Sequence, residues 1–183
     1  MTTANKITII RILLIPIMII ITYINYFDSP INLFQMTLGQ LIFVILFMIA
    51  AFTDFLDGYI ARKYNQITTF GKFLDPIADK LLVLVAMLYL MPRVPMWAIM
   101  IVLIREFIVT GIRLVAVENN HVIAASIYGK IKTFVTIIAL IVLLFNDFGI
   151  KILGDILLYL AIFFTLLSGI DYVYKNKELI KLK

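Results

Sequence analysis

Four aspartates, Asp54, Asp57, Asp75 and Asp79, lie close together in a chain in which 63% of the residues are hydrophobic. An aspartate near lipid costs about 2.5–3.5 kcal/mol on insertion scales, and neighbouring like charges add repulsion to that cost. We therefore expect a cation to hold the cluster. Oxygen ligands in this number suit one or two divalent ions, and Mg²⁺ or Mn²⁺ fits them best.

The spacing of the aspartates predicts how they meet. Asp54 and Asp57 are three residues apart and share a face near the end of the second predicted helix, while Asp75 and Asp79 are four apart on the third. Asp75 is expected to cap the third helix, with Pro76 in its first turn. If the two helices pack side by side, the carboxylates converge. Two metal ions held by carboxylates are typical of phosphoryl transfer, because they clamp both the attacking and the leaving oxygen.

Composition predicts that the chain is an all-α polytopic membrane protein. Its helices must position the four carboxylates. The 183 residues have only 15% charged side chains and a mean hydropathy of +1.08. The apolar runs do not alternate with polar residues, which favours helices over a membrane barrel. There is no cysteine, so disulfides and thiolate ligands are excluded. The net charge of +5 is better explained by topology and anionic lipid than by nucleic acid.

Six membrane-spanning helices are predicted in a single domain over residues 1–183, with the catalytic motif at 54–79 and a basic cytoplasmic tail at 173–183. The predicted spans cover residues 7–26, 34–55, 73–91, 96–117, 122–145 and 152–172. All lysines and arginines except Arg93 and Lys151 then fall on one side. The positive-inside rule makes that side cytoplasmic, together with both termini and the aspartates.

The residues around the aspartates fit a nucleotide substrate. Gly58, Ala61 and Gly71 are small and let a base or phosphate approach the backbone, and Arg62 offers a planar fork for phosphate oxygens. For any one glycine the simpler alternative is close helix packing. The whole pattern, Asp-x2-Asp-Gly-x2-Ala-Arg-x8-Gly-x3-Asp-x3-Asp, makes that alternative a poor explanation.

This pattern resembles the signature of the CDP-alcohol phosphatidyltransferase family, whose members also have six spans. The resemblance implies that all four aspartates bind two metal ions and that Asp79 is also the catalytic base. It further implies a homodimer. It places CDP-diacylglycerol at the small and polar motif residues and at an amino-terminal element: Asn5, Thr8, Arg11, Gly58, Ala61, Arg62, Thr68 and Gly71.

A second group of charges indicates an anionic acceptor substrate. Arg105, Arg113, Lys130 and Lys132 lie in the fourth and fifth predicted spans, where four cations near an acidic site invite a phosphate. The alternatives are that they snorkel to lipid headgroups, set topology, or, for Arg105, pair with Glu106 or an aspartate. The segments 104–113 and 129–133 are similar to those of bacterial family members that use sn-glycerol 3-phosphate. The resemblance implies that phosphatidylglycerophosphate and CMP are the products.

Two other classes of function remain open at this point. A divalent-cation transporter could line its core with aspartates, but all the clustered carboxylates lie on one side of the predicted membrane. A family member could also use inositol phosphate, serine or phosphatidylglycerol; the cations disfavour serine and do not separate two phosphorylated alcohols. The one histidine, His121, is predicted to be a solvated loop residue.

Overall fold

Six long helices make up the computed structural model of the protein. It describes residues 3–31, 33–63, 69–118, 123, 126–150 and 152–177, without the side chains of 3–5, 25–26, 55, 57–63, 69–73 and 118. The helices are α1 (Thr3–Ile21), α2 (Leu38–Lys63), α3 (Thr69–Tyr89), α4 (Met96–Glu118), α5 (Ile127–Leu144) and α6 (Leu153–Lys175). The predicted all-helical architecture is confirmed.

The helices pack as two groups of three. The most extensive contacts join α1 to α2 and α3 in one group, and α6 to α4 and α5 in the other. An apolar core joins the groups at one end of the bundle. It contains Phe43 and Phe47 of α2, Met87 of α3, Ile99 of α4 and Leu143 of α5, each at most 2% exposed. The opposite end, where α1, α3 and α5 begin, is left for polar residues.

Short connections close the end of the bundle that holds the core. After α1 come a 3-10 turn at Asn25–Asp28 and two short antiparallel strands, β1 (Pro30–Ile31) and β2 (Met36–Thr37). The connection from α5 to α6 is fixed by Asp147, which is 1% exposed. Its carboxylate accepts hydrogen bonds from Arg93 and from the Gly154 amide at 3.1 Å. These contacts tie the connection between α3 and α4 to that between α5 and α6.

Two helices have the length and apolarity to cross a membrane among the described residues, Ile127–Leu144 and Leu153–Lys175. The segment Leu38–Asp54 of α2 is also apolar but shorter. Six spans therefore stay a prediction, although each predicted span overlaps a helix.

The predicted cap of the third helix is wrong. Helix α3 begins at Thr69, so Asp75 and Pro76 lie inside it. A proline in a helix removes one backbone donor, and neighbouring groups can compensate for that loss in a membrane bundle. Helix α2 likewise continues to Lys63, beyond its predicted end at residue 55. Both helices thus carry their aspartates on helical backbone.

Candidate active site

A polar cavity of about 300 Å³ lies between the two helix groups at the end of the bundle opposite the apolar core. Three of the four motif aspartates, Asp54, Asp75 and Asp79, line it from α2 and α3. Helices α4 and α5 supply Arg105, Arg113 and Lys132 to the same cavity, together with Glu106. The structure therefore brings three of the four predicted metal-binding residues and three of the four predicted acceptor-binding cations to one place.

Helix α1 holds two of the aspartates from outside the cavity lining. Thr8, which is 1% exposed, donates a hydrogen bond from its hydroxyl to Asp75 Oδ1 at 2.7 Å. Arg11, which is fully buried, forms an ion pair with Asp54, with 2.6 Å between Nη1 and Oδ1. These charge-assisted contacts fix the carboxylates in orientation and offset part of their mutual repulsion. Two residues of the predicted amino-terminal element, Thr8 and Arg11, thus contact the aspartates.

The donor set fits a hard divalent cation on chemical grounds. Carboxylates from two helices line one cavity, and two of them are oriented by hydrogen bonds from α1, as metal-binding carboxylates commonly are. Among the described side chains, no three acidic, histidine or cysteine residues are grouped closely enough to hold an ion. That description does not include the side chain of Asp57, the fourth predicted ligand.

Glu106 links two of the predicted anion-binding cations. Its Oε1 accepts a hydrogen bond from Arg105 Nη1 at 2.8 Å and one from Lys132 Nζ at 2.6 Å. All three side chains are largely buried, with exposures of 16% for Glu106, 12% for Arg105 and 9% for Lys132. The pairing of Arg105 with Glu106 considered from the sequence is confirmed. It keeps two cations at the cavity and compensates one of their two positive charges.

Further polar contacts complete the cavity wall. Lys80, next to Asp79, donates to the Thr110 hydroxyl of α4. Arg113 Nε donates to the Tyr172 hydroxyl at 3.2 Å. Ser126 caps α5 by accepting a hydrogen bond from the Gly129 amide at 3.1 Å, which starts that helix at the cavity. Every helix of the second group therefore supplies polar atoms to the wall.

The remaining predicted residues fall into three groups. Lys130 is an exposed residue of α5 and is not among the described residues that line the cavity. Six predicted residues lie on the helical backbone of α1, α2 or α3, but their side chains are not described: Asn5, Asp57, Gly58, Ala61, Arg62 and Gly71. Thr68 and His121 lie outside the described residues.

Sequence reasoning missed two residues of α6. Ser168 and Tyr172 are at most 2% exposed and contact Arg105 and Arg113 respectively. A signal was present, since both are polar residues four positions apart in a largely apolar helix. That spacing places them on one face. The partners were not predictable, because they lie about sixty residues away in sequence.

Comparison with known proteins identifies the class. The CDP-alcohol phosphatidyltransferase family model matches residues 1–167, and the chain belongs to that family. The family generally depends on a divalent metal ion. Membership makes the chain an enzyme and removes the support for a cation transporter.

Several curated relatives carry the same name, CDP-diacylglycerol–glycerol-3-phosphate 3-phosphatidyltransferase. The relative from Bacillus subtilis is 43% identical, with 97% of this chain and 96% of the relative aligned. One from Rickettsia felis is 40% identical over 95% of this chain and 94% of its own length. One from Salmonella choleraesuis is 32% identical over 91% and 90%. The resemblance inferred from the motifs is confirmed.

Proposed function

We propose that the protein transfers the phosphatidyl group of CDP-diacylglycerol to sn-glycerol 3-phosphate, giving phosphatidylglycerophosphate and CMP. The observation that carries this proposal is the cavity itself, in which the carboxylates of α2 and α3 face the cations of α4 and α5. A phosphorylated alcohol matches the cations, and a diphosphate donor held through metal ions matches the carboxylates. The relatives' shared name supports the same pair of substrates.

In the proposed reaction the acceptor is held by Arg105, Arg113 and Lys132, with Lys130 nearby. Arginine recognises phosphate through two parallel hydrogen bonds, and Lys132 adds a point charge. Because Glu106 already neutralises part of this group, a dianionic phosphate enters a site that is only moderately positive. The acceptor hydroxyl is then presented towards the aspartates across the cavity.

Asp79 is the proposed base. It takes the proton of the acceptor hydroxyl as that oxygen attacks the β-phosphorus of CDP-diacylglycerol, and the bond from this phosphorus to the bridging oxygen breaks to release CMP. General-base catalysis of this kind contributes about 10²–10⁴-fold. The alcohol displaces CMP directly, so no covalent enzyme intermediate forms.

The proposed metal ligands are Asp54, Asp57, Asp75 and Asp79. When bound, one or two Mg²⁺ or Mn²⁺ ions would neutralise the diphosphate oxygens and stabilise the charge that develops as CMP leaves. Thr8 and Arg11 keep Asp75 and Asp54 turned towards the cavity. The nucleotide is proposed to lie against Asn5, Thr8 and the motif residues Gly58, Ala61, Arg62, Thr68 and Gly71.

We also propose a multi-pass protein of the cell membrane with six spans and a cytoplasmic active site. Each of the six helices exposes large apolar side chains, such as Leu13, Phe52, Leu88, Phe107, Phe134 and Ile170. Such a surface suits lipid better than water. The distribution of lysine and arginine supports the orientation. A homodimer is proposed from the family resemblance alone.

Product analysis tests the proposed reaction. Purified protein receives CDP-diacylglycerol, Mg²⁺ and isotopically labelled sn-glycerol 3-phosphate, and the label is expected in a lipid together with stoichiometric CMP. Inositol phosphate and phosphatidylglycerol serve as competing acceptors. If lipid is formed from inositol phosphate instead, the proposed phosphatidyl transfer stands and the proposed acceptor is wrong. Full activity in metal-stripped protein with EDTA would contradict the metal site.

A further inference from the structure

Two buried polar side chains of α6, Ser168 and Tyr172, have no part in the chemistry described so far. They are four residues apart, so they occupy one face of the helix, and that face is turned towards α4. Ser168 is fully buried and Tyr172 is 2% exposed and lines the cavity. A buried hydroxyl in an apolar helix is costly unless it is hydrogen-bonded, so its partner is informative.

Both hydroxyl groups accept a hydrogen bond from a guanidinium group. Ser168 Oγ accepts from Arg105 Nη2, while Arg105 Nη1 is held by Glu106 at 2.8 Å. Gly169 admits the Arg105 stem, since an added Cβ there would be 3.2 Å from Arg105 Cγ. Arg105 is thus fixed from two helices.

Arg113 is fixed in a different way by the same helix. Its Nε donates to the Tyr172 hydroxyl at 3.2 Å, and its guanidinium carbon is 5.7 Å from the centre of the Tyr172 ring. The hydrogen bond and the contact with the ring restrict the plane of the guanidinium group. Because this contact uses Nε, the two terminal nitrogens, which suit a phosphate best, can be directed into the cavity.

We propose that Ser168 and Tyr172 are positioning residues that hold Arg105 and Arg113 in the orientation that receives the phosphate of the acceptor. The inference rests on the proposed function, because it concerns the acceptor-binding side of that site. An arginine side chain is flexible, and ordering it in advance removes part of the cost of binding. The two residues act through the arginines and do not touch the reacting atoms.

Tyr172→Phe tests the proposal most directly, because it removes the hydroxyl and keeps the buried ring. We expect KM for sn-glycerol 3-phosphate to rise about tenfold, as for the loss of a hydrogen bond to a charged group, with little change in KM for CDP-diacylglycerol. Tyr174→Phe is the matched control, since Tyr174 lies two residues along α6 and is 70% exposed. Equal kinetics for the two variants would overturn the role of Tyr172.

Ser168→Ala tests the second contact, with Thr165→Val as its control. Thr165 is also fully buried on α6, but its hydroxyl donates to the Ala161 carbonyl of the same helix at 2.7 Å. Removing Ser168 is expected to raise the acceptor KM selectively, whereas the Thr165 variant changes stability without that selectivity. A loss that affects both substrates equally in Ser168→Ala would show that the residue only supports packing.

A double-mutant cycle separates positioning from general damage to the fold. The Arg113→Lys variant keeps the positive charge but lacks the Nε group that contacts Tyr172. In that background, Tyr172→Phe should raise KM for the acceptor by no more than about twofold. The effects of two residues that act together are not additive. A full tenfold effect in that background would mean that Tyr172 does not act through Arg113. Thermal unfolding of each variant shows whether the protein is folded.

Failure of this inference can be distinguished from failure of the proposed function. Wild-type protein that releases no CMP in response to sn-glycerol 3-phosphate contradicts the proposed function. Calorimetric binding of sn-glycerol 3-phosphate to wild type and to Tyr172→Phe then still tests the positioning role without turnover. Wild type that neither binds nor uses this acceptor contradicts both.

Discussion

Replacing Thr8 by valine tests how α1 serves the metal side of the cavity. The change keeps the size of this buried side chain and removes the hydroxyl that donates to Asp75 at 2.7 Å. A hydrogen bond to a charged group contributes about 1.5–3 kcal/mol. Since Asp75 is only half-buried, water can replace part of the contact, and we expect the lower end, about 1.5 kcal/mol.

That loss of free energy should appear as a weaker affinity of the protein for Mg²⁺. Because 1.4 kcal/mol is a factor of ten in an equilibrium constant, half-saturation by Mg²⁺ should rise about tenfold. Partners that orient metal-binding carboxylates typically change metal affinity by about 10–100-fold when removed. Activity at saturating Mg²⁺ should recover most of its wild-type value.

The assay is a Mg²⁺ titration of CMP release, repeated as a Mg²⁺ titration of the unfolding temperature, since an ion that binds the folded state raises that temperature. Thr165→Val is the control, because it removes a buried hydroxyl bonded only to its own helix among the described contacts. An unchanged Mg²⁺ dependence would refute this reasoning, and a raised KM for CDP-diacylglycerol alone would leave Thr8 with only its proposed nucleotide contact.

Three further predictions concern the base, the acceptor cations and the topology. Asp79→Asn should lower kcat by about 10²–10⁴-fold while CDP-diacylglycerol still binds, and a near-normal kcat would remove Asp79 as the base. Lys132→Ala should raise KM for sn-glycerol 3-phosphate about tenfold, and Lys130→Ala should raise it less because that side chain is exposed; the reverse order would contradict the cavity assignment. In this cysteine-free chain, an impermeant maleimide added to intact cells should label cysteine at position 28 and not at 177, and labelling at 177 would reverse the orientation.

Helix ends were predicted well where a proline interrupts the apolar run. Helix α4 begins at Met96 as expected, directly after Pro92 and Pro95 interrupt the apolar run. The end of α2 was predicted too early, at residue 55, because hydrophobicity falls at the polar motif. The helix continues to Lys63, since its backbone hydrogen bonds do not depend on apolar side chains.

The sequence predicted residues that line the candidate site, but not most of the contacts between their side chains. Residue type and spacing picked out three aspartates and three cations that line one cavity, while their proposed roles stay predictions. The contacts that orient them, such as Arg11 with Asp54 and Lys132 with Glu106, join residues 43 and 26 positions apart. Such pairs depend on how the helices pack, and local periodicity does not contain that information.

The division of the cavity wall between two helix groups has a consequence for how such enzymes diversify. The motif aspartates and their α1 partners belong to the first group, whereas Arg105 and Arg113 with their α6 partners belong to the second. In the proposed assignment, a change of alcohol needs substitutions only in α4, α5 and α6 and leaves the proposed metal-binding aspartates unchanged. One inherited half can serve many alcohols, and the exchange of the other half is a practical route for redesigning which headgroup a membrane receives.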